Sequence, residues 1–390
     1  MAQSTNLAFP VEEYERRLQN VTLAMKECGL DALIAYGIQL TLPGHVAWMV
    51  GSEPRMGLTK TAMAVVVPSS DRPLRVVGRP ELGGLWIDDV DVSYGYDLAS
   101  LIEGVLPHSV RTVGIAGWEV FPLSVYVQLE ESYPNVTFQP ASDLLLNLRM
   151  IKSDAEIAVL RQAASIAQAG VVAVYSAVGE GVRERDLLAE YERTVRANGS
   201  DELPFATQIA SGPKTALVTA HSTERRIQPG DIVRSDTGAM FRGYCSDISR
   251  GTVVQPASDK VMEIVETCAT LYEAALSAIR PGVSFGEVVE TATEVAEEES
   301  LGEYLGTLTV HGIGCNQDEY PHWSAGSAAP SHWTRGCSIQ DADQFVEGMV
   351  CCFEPGIYVE GVGGLRLEDP FVVTANGTER LAPALATRLW

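Results

Sequence analysis

The chain has 390 residues, more than one ordinary core accommodates, so two domains are expected, or three. Apolar residues make up 46% and charged residues 20%, a globular rather than a disordered composition. The 28 basic and 51 acidic side chains leave a formal charge of −23, which argues against nucleic acid or an anionic membrane surface as partner, because both need a basic footprint.

The opening residues, MAQSTNLAFPVEEYERR, have no basic segment followed by an apolar run, so no secretion signal is expected. No apolar stretch is expected to reach the roughly 18 residues of a membrane span. Residues 11–28 place Tyr14, Leu18, Val21 and Met25 on one helical face. β-rich runs follow at 31–37, 61–68, 74–79 and 112–117, with helical stretches between some of them, which predicts a small α/β domain with a mixed sheet. Neither a Gly-x-Gly-x-x-Gly nor a Walker A pattern follows these strands, so dinucleotide and P-loop readings have no support. The seven cysteines (28, 245, 268, 315, 337, 351 and 352) are scattered. The adjacent Cys351-Cys352 pair lacks zinc-type spacing, and reduced thiols in a cytosolic enzyme are the expectation.

The run LRMIKS marks a domain junction near residue 150. The spacing predicts an N-terminal α/β domain over 1–150 and a second domain over 151–390. A capping box, Ser153-Asp-Ala-Glu156, opens a helix carrying Ile157, Leu160, Ala164 and Val171. Leu187, Tyr191 and Val195 mark a second helix, stopped at Gly199. Val261, Ile264, Cys268, Tyr272 and Ala275 mark a third, stopped at Pro281-Gly282. A second capping box, Ser284-Phe-Gly-Glu287, opens a fourth with Val288, Ala292 and Val295. About four helices with several β-rich segments make an α+β pattern.

Three places in the second domain carry chemistry. The run from Asp231 to Val254 reads as a hairpin around Arg242-Gly243. A turn centred between residues 241 and 242 sets Asp236 directly opposite Asp247, whereas a turn one residue later makes them near neighbours. The run from Val350 to Thr374 reads as a second hairpin, with Glu354 and Glu368 equidistant from Gly361. The third place is Thr309-Val-His311-Gly-Ile-Gly314. One acidic hairpin is ordinarily a solvated face, but like charges placed opposite one another on a sheet are destabilising. Two such pairs in one domain therefore call for cations. Two divalent ions balance four carboxylates, and one imidazole completes a set of oxygen and nitrogen ligands suited to Mn2+, Co2+ or Zn2+. Two ions about 3.5–4 Å apart would hold a water and lower its pKa.

The ordered run D-x-G-x4-G-Y-x-S-D-x-S-R (236–250), H-G-x-G (311–314), E-P-G-x-Y (354–358) and R-x-E-D (366–369) resembles the pita-bread metallopeptidase family of aminopeptidase P, prolidase and methionine aminopeptidase, with creatinase as a metal-free relative. The resemblance covers roughly 145–385 and implies a C-terminal pita-bread catalytic domain preceded by a smaller creatinase-like α/β domain. Carried over by position, Asp236 would bind one ion, Asp247 and Glu368 would bridge both, and His311 and Glu354 would bind the other. The resemblance puts Mn2+ first, with Co2+, Zn2+ or Fe2+ as alternatives. His221, in the run from Ser211, matches a histidine that lies near the scissile bond in similar peptidases, although its spacing is looser here. Arg366 is expected beside the substrate or, with Arg250, as a holder of carboxylates.

The run after His311 departs from the prolidase pattern H-G-x-G-x3-H-E-x-P. Asp318 replaces the second histidine, and His322 stands where a carboxylate-binding arginine can occur, so both become candidate substrate contacts. An acidic group there would repel a dipeptide's C-terminal carboxylate by on the order of 1–4 kcal/mol at 4 Å. A longer peptide fits instead, or a small cation against Asp318 and aromatics such as Tyr320, Trp323 or Trp333. The function implied is hydrolysis of a bond to a proline nitrogen by a metal-bridged hydroxide, with His221 stabilising the oxyanion and Glu354 shuttling the proton. The alternatives are a non-peptidase of the same fold, similar to dimethylsulfoniopropionate lyase and acting on a small cationic substrate, or a binding module without catalysis. The resemblance further implies a homodimer, and the scattered thiols with no secretion signal make a cytoplasmic location the expectation.

Overall fold

The computed structural model describes residues 8–38, 44–51, 61–69, 73–78, 92–94, 97–324 and 344–390. Trp333 and Cys337 lie outside these. The described chain divides into two compact units, one ending at Met150 and the other starting at Ile151.

The first unit runs α1 (Val11–Glu27), β1 (Ala32–Ile38), α2 (Gly44–Val50), β2 (Thr61–Val66), β3 (Leu74–Gly78), β4 (Val92–Tyr94), α3 (Leu98–Glu103), β5 (Thr112–Ala116), α4 (Leu123–Ser132), β6 (Thr137–Pro140) and α5 (Ser142–Met150). Its six-stranded sheet has the order β4-β3-β2-β1-β5-β6. β2 is antiparallel to both neighbours, while β3–β4, β1–β5 and β5–β6 are parallel, so the sheet is mixed as predicted. Ile34, Val65, Val113 and Ile115 are fully buried with Ile102 and Leu129 from the helices. The predicted face of α1 differs at one position. Arg17, not Leu18, is buried with Tyr14, Val21 and Met25. Its guanidinium lies 4.7–5.2 Å from the rings of Phe9, Tyr14 and Trp48, donates to the Trp48 carbonyl at 2.8 Å and pairs with Glu13 at 3.0 Å. The charge can be buried because every face of it is occupied.

The second unit opens with α6 (Asp154–Ala177) and α7 (Glu184–Ala197), then β7 (Gln208–Ser211), β8 (Ile232–Thr237), β9 (Met240–Phe241), β10 (Tyr244–Cys245) and β11 (Ile248–Val253). Next come α8 (Asp259–Ala278), α9 (Phe285–Glu298), β12 (Leu305–Gly306), β13 (Thr309–Gly312), β14 (Glu319–Ser324), β15 (Val350–Phe353), β16 (Gly356–Val359), β17 (Gly363–Arg366), β18 (Phe371–Thr374) and β19 (Gly377–Arg380). Both predicted capping boxes are formed, at Ser153/Glu156 and Ser284/Glu287. The strands build sheets of order β11-β8-β7, β14-β13-β15-β18-β19 and β12-β16-β17, all antiparallel. Helices against antiparallel sheets are the α+β arrangement the sequence predicts.

One expectation is corrected in this unit. α6 is long and apolar enough to cross a membrane, by length and composition alone. The expectation that no stretch reaches that length overlooked it because scattered polar residues interrupt the run. Its Val159, Leu160, Ala163, Ala164, Ala167 and Val171 are buried in the unit's own core.

Candidate functional site

The first hairpin turns at Arg242-Gly243, where both residues have positive φ (50° and 80°), as a two-residue type I′ connection requires. Phe241 faces Tyr244, Thr237 faces Ile248, and Asp236 faces Ser249. The turn is therefore the later of the two registers considered. Asp247 is not opposite Asp236 but two residues before Asp236's partner, on the same face, a diagonal neighbour.

The second hairpin is centred on Gly361, as expected, with Val359 facing Gly363 and Gly356 facing Arg366. Its ladder stops there, short of the two carboxylates. Glu354 follows the end of β15, and Glu368 forms a bridge with Ser249 of β11. Two separate sheets thus deliver the acids, and β13 brings His311 between its partners His322 on β14 and Cys352 on β15.

Carboxylate oxygens of Asp236, Asp247 and Glu368 lie within 4.8 Å of one another. The same holds for a His311 ring nitrogen, the Cys352 sulfur and a Glu368 oxygen. Glu368 belongs to both groups. All five side chains are buried, while Glu354 keeps 19% of its side chain accessible.

All the carboxylate oxygens of Asp236, Asp247 and Glu368 but one are held. Gln208 donates its amide to Asp236 at 3.0 Å and Gln317 donates to Asp247 at 2.7 Å. The Ser249 hydroxyl lies 3.1 Å from an Asp236 oxygen and 3.2 Å from a Glu368 oxygen. Arg366 donates to Ser249 at 3.0 Å, pairs with Asp236 and lies 3.2 Å from Glu354. His311 Nε2 is 3.2 Å from Glu368. The Oδ1 atom of Asp247 is buried with no hydrogen-bond partner among the described residues.

The electrostatics follow from this crowding. Burial, then the charges of Glu368 and Asp236, push the Asp247 carboxyl well above the usual carboxylate range. Burial pushes Glu354 up to about 8, with Arg366 opposing and Glu368 adding to the rise. Burial would raise Glu368 as well, but the hydrogen bond from His311 and the Arg366 charge bring it below its ordinary value. Burial would lower His311, yet Glu368 and the charge of Asp318 hold it well above 6.5.

The remaining predicted residues are placed as follows. His221 is exposed, and its imidazole has no hydrogen-bond partner among the described residues. Its backbone is tied down. Lys214 donates to the His221 carbonyl at 2.9 Å, and the Ala220 amide donates to Gln208 at 2.9 Å, the same Gln208 that holds Asp236. Asp318 lies 3.4 Å from His322 Nε2, and His322 stands opposite His311 in the ladder. Arg250 does not reach a carboxylate of the cluster. It forms a fully buried pair with Asp369 at 2.6 Å and donates to the Glu368 carbonyl at 2.8 Å, fixing the backbone beneath that acid. Tyr320 is buried and Trp323 partly so.

Gln208, Gln317, Ser249 and Cys352 escaped the sequence reading. Strand alternation could have found Cys352, two residues before Glu354 and so on the same face. Gln208 becomes visible only once β7 is paired with β8, where it faces Asp236.

A model of metallopeptidase family M24 matches residues 158–375, and a model of the creatinase/prolidase N-terminal domain matches residues 17–151. The chain is 33% identical to a Xaa-Pro dipeptidase of Pyrococcus furiosus over 70% of this chain and 74% of the relative. It is 32% identical to a Xaa-Pro dipeptidase of Pyrococcus horikoshii over 70% and 73%. The solved prolidase of Pyrococcus horikoshii OT3 matches with a TM-score of 0.79 at 26% identity, covering 94% of this chain and 98% of that one. The divalent metals that such a family implies fit the residues present. The two groups supply three carboxylates and an imidazole as hard and borderline donors, Glu354 is in neither group but shares Arg366 with Asp236, and the buried Asp247 Oδ1, with no hydrogen-bond partner among the described residues, offers a free lone pair to a cation.

Proposed function

The chain belongs to metallopeptidase family M24, and on that premise we propose that it hydrolyses a peptide bond whose nitrogen belongs to proline. The observation that carries this reading is Glu368 shared between two buried ligand groups, which suits a pair of ions better than one. Asp236 would help to hold one ion, His311 and Glu354 the other, and Asp247 and Glu368 would serve both. Mn2+ is the first choice, with Co2+, Zn2+ or Fe2+ accepted by the same donors. When bound, such ions polarise a carbonyl and lower the pKa of a water to near neutrality.

The chain's own side chains do the rest. Glu354 is the most accessible acid of the set. That accessible edge places it to hand a proton to the leaving nitrogen. His221, on a loop tethered through Gln208 to Asp236, donates to the developing oxyanion. Arg366 keeps Asp236 and Glu354 oriented. Asp318 and His322, paired beside His311, face the substrate. That acidic group disfavours a free C-terminal carboxylate at this position, so peptides longer than two residues are preferred.

The relatives are dipeptidases by name, which favours a peptidase over the small-cation alternative and over a binding module. Catalysis resides in residues 151–390, behind an N-terminal α/β domain over 1–150. A cytoplasmic homodimer completes the proposal.

Metal-depleted protein should regain hydrolysis of Xaa-Pro peptides on adding Mn2+, and D247A or E368A should lose both metal and turnover. Retained turnover in either variant, or release from betaine-like cations but not from any Xaa-Pro peptide, would overturn the assignment.

A further inference from the structure

The Cys352 thiol has no role in the ligand scheme above. β15 sets Cys352 directly opposite His311 of β13, so both side chains stand on one face of the sheet. Its neighbour Cys351 points to the other face by strand alternation. The Cys352 sulfur, a His311 nitrogen and a Glu368 oxygen converge within 4.8 Å, and the three side chains are 0–2% exposed. Glu368 also belongs to the group of Asp236 and Asp247, in which the buried Asp247 Oδ1 lacks a hydrogen-bond partner among the described residues. A cysteine serving only as a small apolar filler would gain nothing from facing an imidazole and a carboxylate. Donors at 2.0–2.3 Å around a tetrahedral ion stand about 3.3–3.8 Å apart, so closing the group needs side-chain shifts of about 1 Å.

We propose that Cys352 coordinates, through its sulfur, the divalent cation held by His311 and Glu368. This rests on the metal-centre reading above and deepens it. One of the two positions then has a soft ligand, and that position prefers Zn2+, Co2+ or Cd2+ over Mn2+. Coordination forms a sulfur–metal bond, breaks the S–H bond and releases its proton to solvent, with no change of oxidation state.

The test titrates metal-depleted full-length protein with Co2+ and follows absorption. Visible d–d bands report binding, and a near-ultraviolet sulfur-to-cobalt charge-transfer band reports the thiolate ligand. The wild type should show both. C352S should keep the d–d bands and lose the charge-transfer band, while C351S keeps both. In calorimetry C352S should bind Cd2+ roughly 10–100-fold more weakly with Mn2+ affinity little changed. C352A serves as the second variant, and if neither variant folds the wild-type spectrum alone decides. Visible bands without charge transfer, or a charge-transfer band that survives C352S, would overturn the proposal and leave the metal-centre reading intact. Absence of any cobalt spectrum would overturn both.

Discussion

Replacing Asp247 with asparagine should change stability in opposite directions with and without divalent cations. Asp247, Asp236 and Glu368 present carboxylate oxygens within 4.8 Å of one another. At an effective dielectric near 20, two like unit charges at that spacing repel by about 3.5 kcal/mol. Arg366 offsets the charge of Asp236, so Glu368 is the main opponent. The wild type relieves the repulsion by keeping a proton on Asp247, and that proton becomes harder to hold as pH rises, by about 1.4 kcal/mol per unit. Asparagine removes the charge and keeps the shape. Its carbonyl can still accept from Gln317, and its NH2 takes the place of the partnerless Oδ1 among the acids. In chelator at pH 8, D247N should therefore be more stable than the wild type by roughly 1–3 kcal/mol. With cations at a hundred times their dissociation constant, the wild type gains about 2.7 kcal/mol per site and the variant forfeits it, so the order reverses. Urea denaturation in EDTA and in Mn2+ reads both arms. If D247N is destabilised equally in the two conditions, Asp247 does not sit in a like-charge cluster that cations relieve.

The pH dependence of the metal-free protein has a definite sign. Glu354 and Asp247 have raised carboxyl pKa values, and their burial as charged groups costs more as they ionise. His311 has a raised pKa, so its contribution is present below 6.5 and fades above. All three make stability fall from about pH 5 to 9; within the site Glu368, with a lowered value, acts below that window, and His45 of the first unit, held well below 6.5 by burial and Arg149, opposes the fall only up to about pH 6.5. Stability measured in chelator that rises over this range would contradict the assignment, and saturating cation should flatten the slope. The buried Arg250–Asp369 pair supplies a purely structural test. R250M should cost about 3 kcal/mol, at the low end for a broken buried pair because Tyr272 at 2.8 Å and Arg380 at 3.1 Å still serve Asp369. The double variant R250M/D369L should recover much of this in thermal denaturation, and a loss below 1 kcal/mol in R250M would refute the reading.

Local chemistry was written plainly in the chain. Both capping boxes, the four helices of the second unit and four of the six strands of the first follow from periodicity and cap residues, because those interactions span three or four residues. The carboxylates and His311 could be singled out for the same reason, since each lies beside its own turn or glycine pair. The register of the first hairpin lay at the edge of that reach. Moving its centre by a single residue decides whether Asp236 meets Asp247 or Ser249, and the positive φ at Arg242 and Gly243 selects the latter. The ladder between Glu354 and Glu368 was centred correctly yet ends early, because Glu368 leaves it to bridge Ser249 on another sheet.

The residue types, their order and the spacing within each hairpin were determined by the sequence alone, and they implied cations before any contact was known. What only the tertiary structure decided is convergence. Gln208 meets Asp236, Gln317 meets Asp247, Cys352 meets His311 and Arg366 meets Asp236 across separations of 28 to 130 residues. Such meetings depend on which strands pair and in what register. That choice is made by the burial of whole sheet faces, not by the residues that meet, so it leaves no mark at the positions themselves.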